Sequence, residues 1–204
     1  MRAQIVFMLV VVFLLSGCGP TKYKTAEDVY TKTIYSPGPD NTDWVKSPPV
    51  KIFGLGVVSL RTRVQRGIPA DHQLYVVLGS TTPYFFCPNA YDAGGNRLEL
   101  EAIGLHRDVI YAPDVQFSIK KKDWAVILSR EYLVSAAKLG INIRCEPYKS
   151  AEVITLEPHY VEGYLKKCRE LTSKSCEEAC KKMFEEGTLR QGMTVEECTK
   201  VSCL

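Results

Sequence analysis

Between Lys51 and Leu156 the chain runs in short apolar or alternating stretches broken by turn residues, and after Pro158 the apolar positions switch to a helical period. KIFGLGVVSL at 51–60, QLYVVLG at 73–79, PYFFC at 83–87, RLELEAIG at 97–104, DVIYA at 108–112, VQFSI at 115–119 and WAVILS at 124–129 read as seven strands. INIRC at 141–145 and EVITL at 152–156 add two more, joined by a turn around 147–150. Many short strands with regular turn signals predict a sandwich or barrel. Asp92 to Asn96 form a hairpin turn whose glycines can take positive φ, and the D-x-D-x-D spacing of a calcium loop is missing. Gly54 and Gly56 inside a strand pattern mark a bulge or a close approach. The expected fold class is mainly β with flanking α: a β-sandwich-like domain over 51–157 plus a C-terminal disulfide-stapled helical hairpin.

Helices are announced by their caps. Ser129 can cap a helix from Arg130 to Leu139, with Tyr132, Leu133, Ala136 and Ala137 on one stripe and Gly140 as its stop. Pro158 at a helix start, followed by Val161, Tyr164, Leu165 and Cys168, has the i, i+3, i+4, i+7 pattern of an amphipathic helix. Ser175 with Glu178 and Thr194 with Glu197 both match the S/T-x-x-E capping box, which predicts two further helices in a cysteine-rich tail over 158–204.

Residues 18–50 are polar and punctuated by SPGPD at 36–40 and by Pro48 and Pro49. They read as a tether reaching roughly 30 Å as a flexible coil. Tyr23, Tyr30, Tyr35 and Trp44 are more aromatics than a bare linker needs, which places parts of it against the folded domain or a partner.

The start of the chain changes this picture. Arg2 precedes an apolar run from Ile5 to Leu15, too short to span a bilayer and of the length of a signal-peptide h-region. The run ends in Leu15, Ser16, Gly17 and Cys18, and this resembles the lipobox of bacterial lipoproteins. The resemblance implies removal of residues 1–17 and a mature chain beginning with an acylated Cys18. Gly19 in place of Asp after that cysteine implies outer-membrane sorting in a diderm bacterium. Several acyl chains, at about 0.8 kcal/mol per buried CH2, anchor durably. The stretch from SREYL through EVITLEPHYVEGYL, about 129–165, resembles a block found in uncharacterised exported bacterial proteins and implies no activity.

With Cys18 set aside, seven of the eight cysteines remain, an odd number in an oxidising compartment. Cys87 and Cys145 lie in two strands and can bridge a long loop. Cys176 and Cys180 share one helix face and Cys198 and Cys203 roughly share another, so an antiparallel hairpin pairs Cys180 with Cys198 and Cys176 with Cys203. Cys168 is then the leftover thiol, unless it takes Cys203 and displaces another. No metal site is expected, because the spacings lack C-x2-C and no histidine follows His159. A thiol oxidoreductase would need C-x-x-C at a helix start, which is missing.

Charge adds exclusions. Lysine and arginine number 26 against 23 acids, too even a balance for nucleic-acid binding. The triplet Lys120, Lys121, Lys122 reads as a solvated turn. His72, His106 and His159 read as surface or loop histidines, and no G-x-S-x-G, H-E-x-x-H or phosphate loop occurs. No catalytic residue and no cofactor are assigned. The expectation is a lipid-anchored outer-membrane protein facing the periplasm, attached to the membrane through its N-terminal lipid and binding another envelope protein as an accessory component or inhibitor. The alternative is a lipid-anchored periplasmic enzyme, a hydrolase or a thiol-active protein using Cys168.

Overall fold

The computed structural model describes residues 23–38, 42–52, 56–78, 87, 89–112, 115–146, 152–190 and 192–203. The signal segment, Cys18, most of the run at 83–87 and the turn at 147–150 lie outside the described residues. The chain is mainly β. Eleven strands are described: β1 Ile34–Pro37, β2 Thr42–Lys46, β3 Val50–Ile52, β4 Gly56–Gln65, β5 Ile68–Leu78, β6 Ala90–Tyr91, β7 Arg97–Leu98, β8 Leu100–Ala112, β9 Val115–Leu128, β10 Ile141–Cys145 and β11 Glu152–Leu156. Four helices accompany them: α1 Ala26–Lys32, α2 Arg130–Leu139, α3 Pro158–Glu185 and α4 Val195–Ser202.

The strands form two antiparallel sheets. The large one has the order β1-β2-β4-β5-β9-β8, with β3 also paired to β4, and the small one has the order β11-β10-β6-β7. Alternation along β4 sends Val58, Leu60, Thr62 and Val64 inward, level with Leu74 and Val76 of β5 and with Trp124, Val126 and Leu128 of β9. On the other side of this core sit Ile141, Ile143, Cys145 and Ile154 from the small sheet, Leu133 and Ala136 from α2, and Tyr160, Val161, Tyr164 and Leu165 from α3. Fully burying one such aliphatic side chain contributes about 1.5 to 3 kcal/mol, so these facing rows carry most of the drive to fold.

Several expectations hold. Ser129 caps α2 by accepting from the Tyr132 amide, and Gly140 ends it at φ 80°. Asp92 to Asn96 close the β6–β7 hairpin, with Gly95 at φ 81° and the Asp92 carboxylate accepting from the Asn96 amide at 2.8 Å. Thr194 and Glu197 form a capping box at the start of α4.

Others are corrected. The tether over 18–50 is not one from Tyr23 onward: Thr25 and Asp28 make a capping box for α1, and β1 to β3 belong to the large sheet. Tyr23, Val29 and Val45 are buried in the core, whereas Ile34 and Tyr35 on the edge strand β1 stay exposed. The tail over 158–204 is not a separate unit either. Tyr160, Val161, Tyr164 and Leu165 put the first half of α3 in the main core, and α3 runs unbroken through Ser175. Ser175 therefore caps no new helix; its hydroxyl donates to the Thr172 carbonyl at 3.1 Å. DVIYA continues the strand begun at Leu100, and VQFSI joins WAVILS across Lys120 to Lys122, which are strand and not turn. Cross-strand pairing of Arg107 with Lys120, and of Leu105 with Lys122, carries the ladder through these charges.

Candidate binding face

The outer face of the large sheet collects the polar half of each alternation. On β2 the buried Val45 turns Trp44 and Lys46 outward; on β4 Ser59, Arg61 and Arg63 alternate with the core row; on β5 Gln73 and Tyr75 do the same. The register aligns Lys46, Arg61, Gln73 and Ile127 across four strands, and Tyr75 opposite Ala125 and Glu101 in the next row. Arg61 thus stands diagonally between two aromatic rings. Its guanidinium lies 4.4 Å from the Trp44 ring centre and 3.9 Å from that of Tyr75, within cation–π range of both.

Hydrogen bonds hold the stack in one arrangement. Arg61 Nε donates to Gln73 Oε1 at 2.6 Å, and Gln73 Nε2 donates to Glu101 Oε2 at 2.8 Å. The Tyr75 hydroxyl donates to the Asp123 carboxylate, and Arg63 forms an ion pair with Asp71 on the same face. Burial, reinforced by that Asp123 bond, pushes the Tyr75 hydroxyl up to about 12, so it stays a donor at neutral pH. Burial lowers the Arg61 pKa, with Tyr75, Glu101 and Asp123 opposing it. A guanidinium starts from so high a value that it remains charged. The result is a half-buried arginine between a tryptophan and a tyrosine, held in one orientation by these contacts. Those are the three residue types most enriched at binding hot spots.

Behind the sheet lies a second polar cluster of different character. Thr62 Oγ1 is 2.8 Å from His72 Nδ1 and 2.5 Å from the Tyr164 hydroxyl. Cys168 is the free cysteine among the described residues and is buried beside it. Burial drives His72 down to about 4 and pushes the Cys168 thiol up to about 11, against hydrogen bonds from Thr62 and Tyr164 that act the other way. Both groups are therefore neutral at neutral pH, whereas a nucleophilic cysteine needs its pKa lowered. This cluster is a hydrogen-bonded pin between sheet and helix. His72 is thus a core histidine, not a surface one: it is buried on the inner row of β5 and bonded to Thr62 of β4. His159 is half-buried, its Nε2 3.0 Å from the Tyr23 carbonyl, and His106 lies in β8.

A cleft of about 1190 Å³ opens elsewhere, between the β4–β5 turn and the second half of α3, lined among others by Asp43, Arg66, Ile68, Lys182, Met183 and Glu186. Arg66 and Gly67 both have positive φ there, and a Cβ on Gly67 would stand 2.7 Å from the Ser175 carbonyl oxygen. The turn is thereby pressed on the helix.

The cysteines pair as expected: Cys87 with Cys145, Cys176 with Cys203 and Cys180 with Cys198. The two tail disulfides lie side by side: the Sγ atoms of Cys176, Cys180 and Cys203 are all within 4.8 Å of one another. None of the sequence-level assignments includes Arg61, Tyr75 or Gln73. The signal that could have found them was the unbroken period of two in GVVSLRTRVQ, which continues past Leu60 and sets two arginines on one face. No described helix is long and apolar enough to cross a membrane. Comparison of the chain with family models, with curated proteins and with solved structures gives no match, so the reading of this face rests on its own geometry.

Proposed function

We propose that this chain is a lipid-anchored protein of the bacterial cell envelope that binds another envelope protein through the outer face of its large sheet. The observation that carries the reading is Arg61 held between Trp44 and Tyr75 and tied through Gln73 to Glu101. A cation whose rotamer is already fixed loses little entropy on docking, and aromatic walls shield it from water. The apolar run ending in Leu15-Ser16-Gly17-Cys18 supports the anchor, and three disulfides suit an oxidising compartment. The partner presents a carboxylate or a carbonyl-rich edge to Arg61, with apolar surface for Trp44.

Two measurements in the expressing cell test this. Radiolabelled palmitate is incorporated into the wild-type chain and not into Cys18→Ser, which also leaves the membrane fraction. A photo-crosslinking residue at Ser59, on the same face, yields one discrete adduct that Arg61→Ala abolishes. The same group at Leu139, which is 74% exposed on α2, does not give that adduct. Equal adducts from both positions, or an adduct indifferent to Arg61→Ala, would sink the binding face while leaving the anchor to be judged by the palmitate result.

A further inference from the structure

The tail disulfides bring three sulfurs within 4.8 Å of one another, and the fourth, of Cys198, is bonded to one of them. Cys176 and Cys180 are one helical turn apart on the buried stripe of α3, and the capping box at Thr194 and Glu197 starts α4 so that Cys198 turns toward α3. Cys203 closes α4 at its C-terminal cap, its amide donating to the Thr199 carbonyl at 3.0 Å. The Sγ atoms of Cys176, Cys180 and Cys203 lie within 4.8 Å of one another, and Cys198 adds the fourth sulfur through its bond to Cys180. All four residues are buried.

We infer that, once its two disulfides are reduced, the tail is a four-thiolate site for one zinc ion. A tetrahedral zinc centre has Zn–S bonds of about 2.3 Å, which puts its sulfurs about 3.8 Å apart. The unbonded sulfur pairs among Cys176, Cys180 and Cys203 are already at no more than 4.8 Å. Each bonded pair has only to part to about 3.8 Å, which rotation at χ1 supplies without moving the helices. The Cα–Cα distance is 5.9 Å in both pairs, so the backbones leave room for the ion between them. Arg130 holds the end of α4 in place, its Nη1 2.9 Å from the Val201 carbonyl oxygen.

The chemistry balances. Two equivalents of a dithiol reductant each convert one disulfide to two thiols and are themselves oxidised to disulfides. Zinc then replaces four thiol protons, which go to solvent, and forms four Zn–S bonds. Oxidation reverses the sequence: two equivalents of a disulfide oxidant each take two electrons from one thiolate pair and, with two protons from solvent, leave as dithiols, while two S–S bonds form and zinc is released. The hairpin is thereby held closed in both redox states, by bonds in one and by metal in the other.

The test uses the full chain in detergent, reduced without oxygen, supplied with zinc, desalted, and read by native mass spectrometry with metal analysis. The expected result is one zinc per reduced chain, none in the oxidised chain, and loss of that zinc in both Cys176→Ser/Cys203→Ser and Cys180→Ser/Cys198→Ser. The Cys87→Ala/Cys145→Ala variant keeps it. As a second reading that does not depend on the folding of the tail variants, cobalt(II) added to the reduced wild type gives the absorption of a tetrahedral thiolate centre. Zinc held equally by the serine variants, zinc that depends on Cys87 and Cys145, or a cobalt spectrum without thiolate character overturns the inference.

Discussion

The hydroxyls of Thr62 and Tyr164 lie 2.5 Å apart although 102 positions separate them in the chain. One sits on the inner row of β4 and the other on the buried stripe of α3, so the bond fixes the long helix against the large sheet. His72 Nδ1 shares the same Thr62 oxygen at 2.8 Å. Tyr164→Phe removes one hydroxyl from a buried site and leaves the Thr62 hydroxyl to its bond with His72. The expected cost is about 1 to 2 kcal/mol, read as a lower midpoint in urea unfolding. A double-mutant cycle with Thr62→Val gives a coupling of about 1 kcal/mol, whereas additive losses would mean that the two hydroxyls do not interact.

His72 makes stability depend on pH. Burial, with Arg130 acting the same way, lowers its pKa from 6.5 to about 4, while Asp71 and Glu131 pull in the other direction. Between those two values the unfolded chain binds the proton and the folded chain does not, so stability is fully present above about pH 6.5 and is lost as pH falls toward 4. Above the ordinary carboxylate range, from about pH 7 down to about pH 5, the loss is about 2 kcal/mol. Unfolding midpoints measured along that interval fall for the wild type and stay level for His72→Gln.

Gly163 is where α1 crosses α3. A Cβ added there would stand 2.1 Å from the Ala26 carbonyl oxygen and 3.0 Å from Val29 Cβ. Alanine favours a helix interior over glycine by about 1 kcal/mol, but the backbone carbonyl cannot yield as a flexible side chain would. Gly163→Ala therefore destabilises the fold by a net of about 1 to 3 kcal/mol and loosens α1. Limited proteolysis should then cut between Lys24 and Lys32 in the variant and not in the wild type.

Cys168 is buried, with its thiol pushed up to about 11. The folded chain should resist iodoacetamide at neutral pH and take up one equivalent on that thiol only after denaturation without reductant. Mass spectrometry of the alkylated chain reads this directly. Rapid labelling of the folded chain would mean that the thiol is open and reactive, and would revive the thiol-active alternative.

Some of this protein was legible in the order of its residues. Capping at Ser129 and Thr194, the stop at Gly140, the turn at Asp92 to Asn96 and the two tail disulfide pairs all depend on spacings of a few residues or on which helix face a cysteine occupies. Such signals survive without knowledge of the rest of the chain.

The tertiary structure decided what local signals could not. Tyr23 to Ile52 is polar and rich in proline, yet it adds a helix and three strands, because Val29 and Val45 fill gaps left by α3 and β4. Lys120 to Lys122 are strand because β8 supplies their backbone partners, whatever their side chains prefer. The Trp44–Arg61–Tyr75 stack joins three strands and exists only in their register, since a slip of one residue would turn each side chain to the opposite face. Cys176 and Cys203 show both levels at once. Their helix faces are written in the sequence, but the convergence of their sulfurs with that of Cys180 depends on how α4 packs back on α3, and packing is a property of the whole chain.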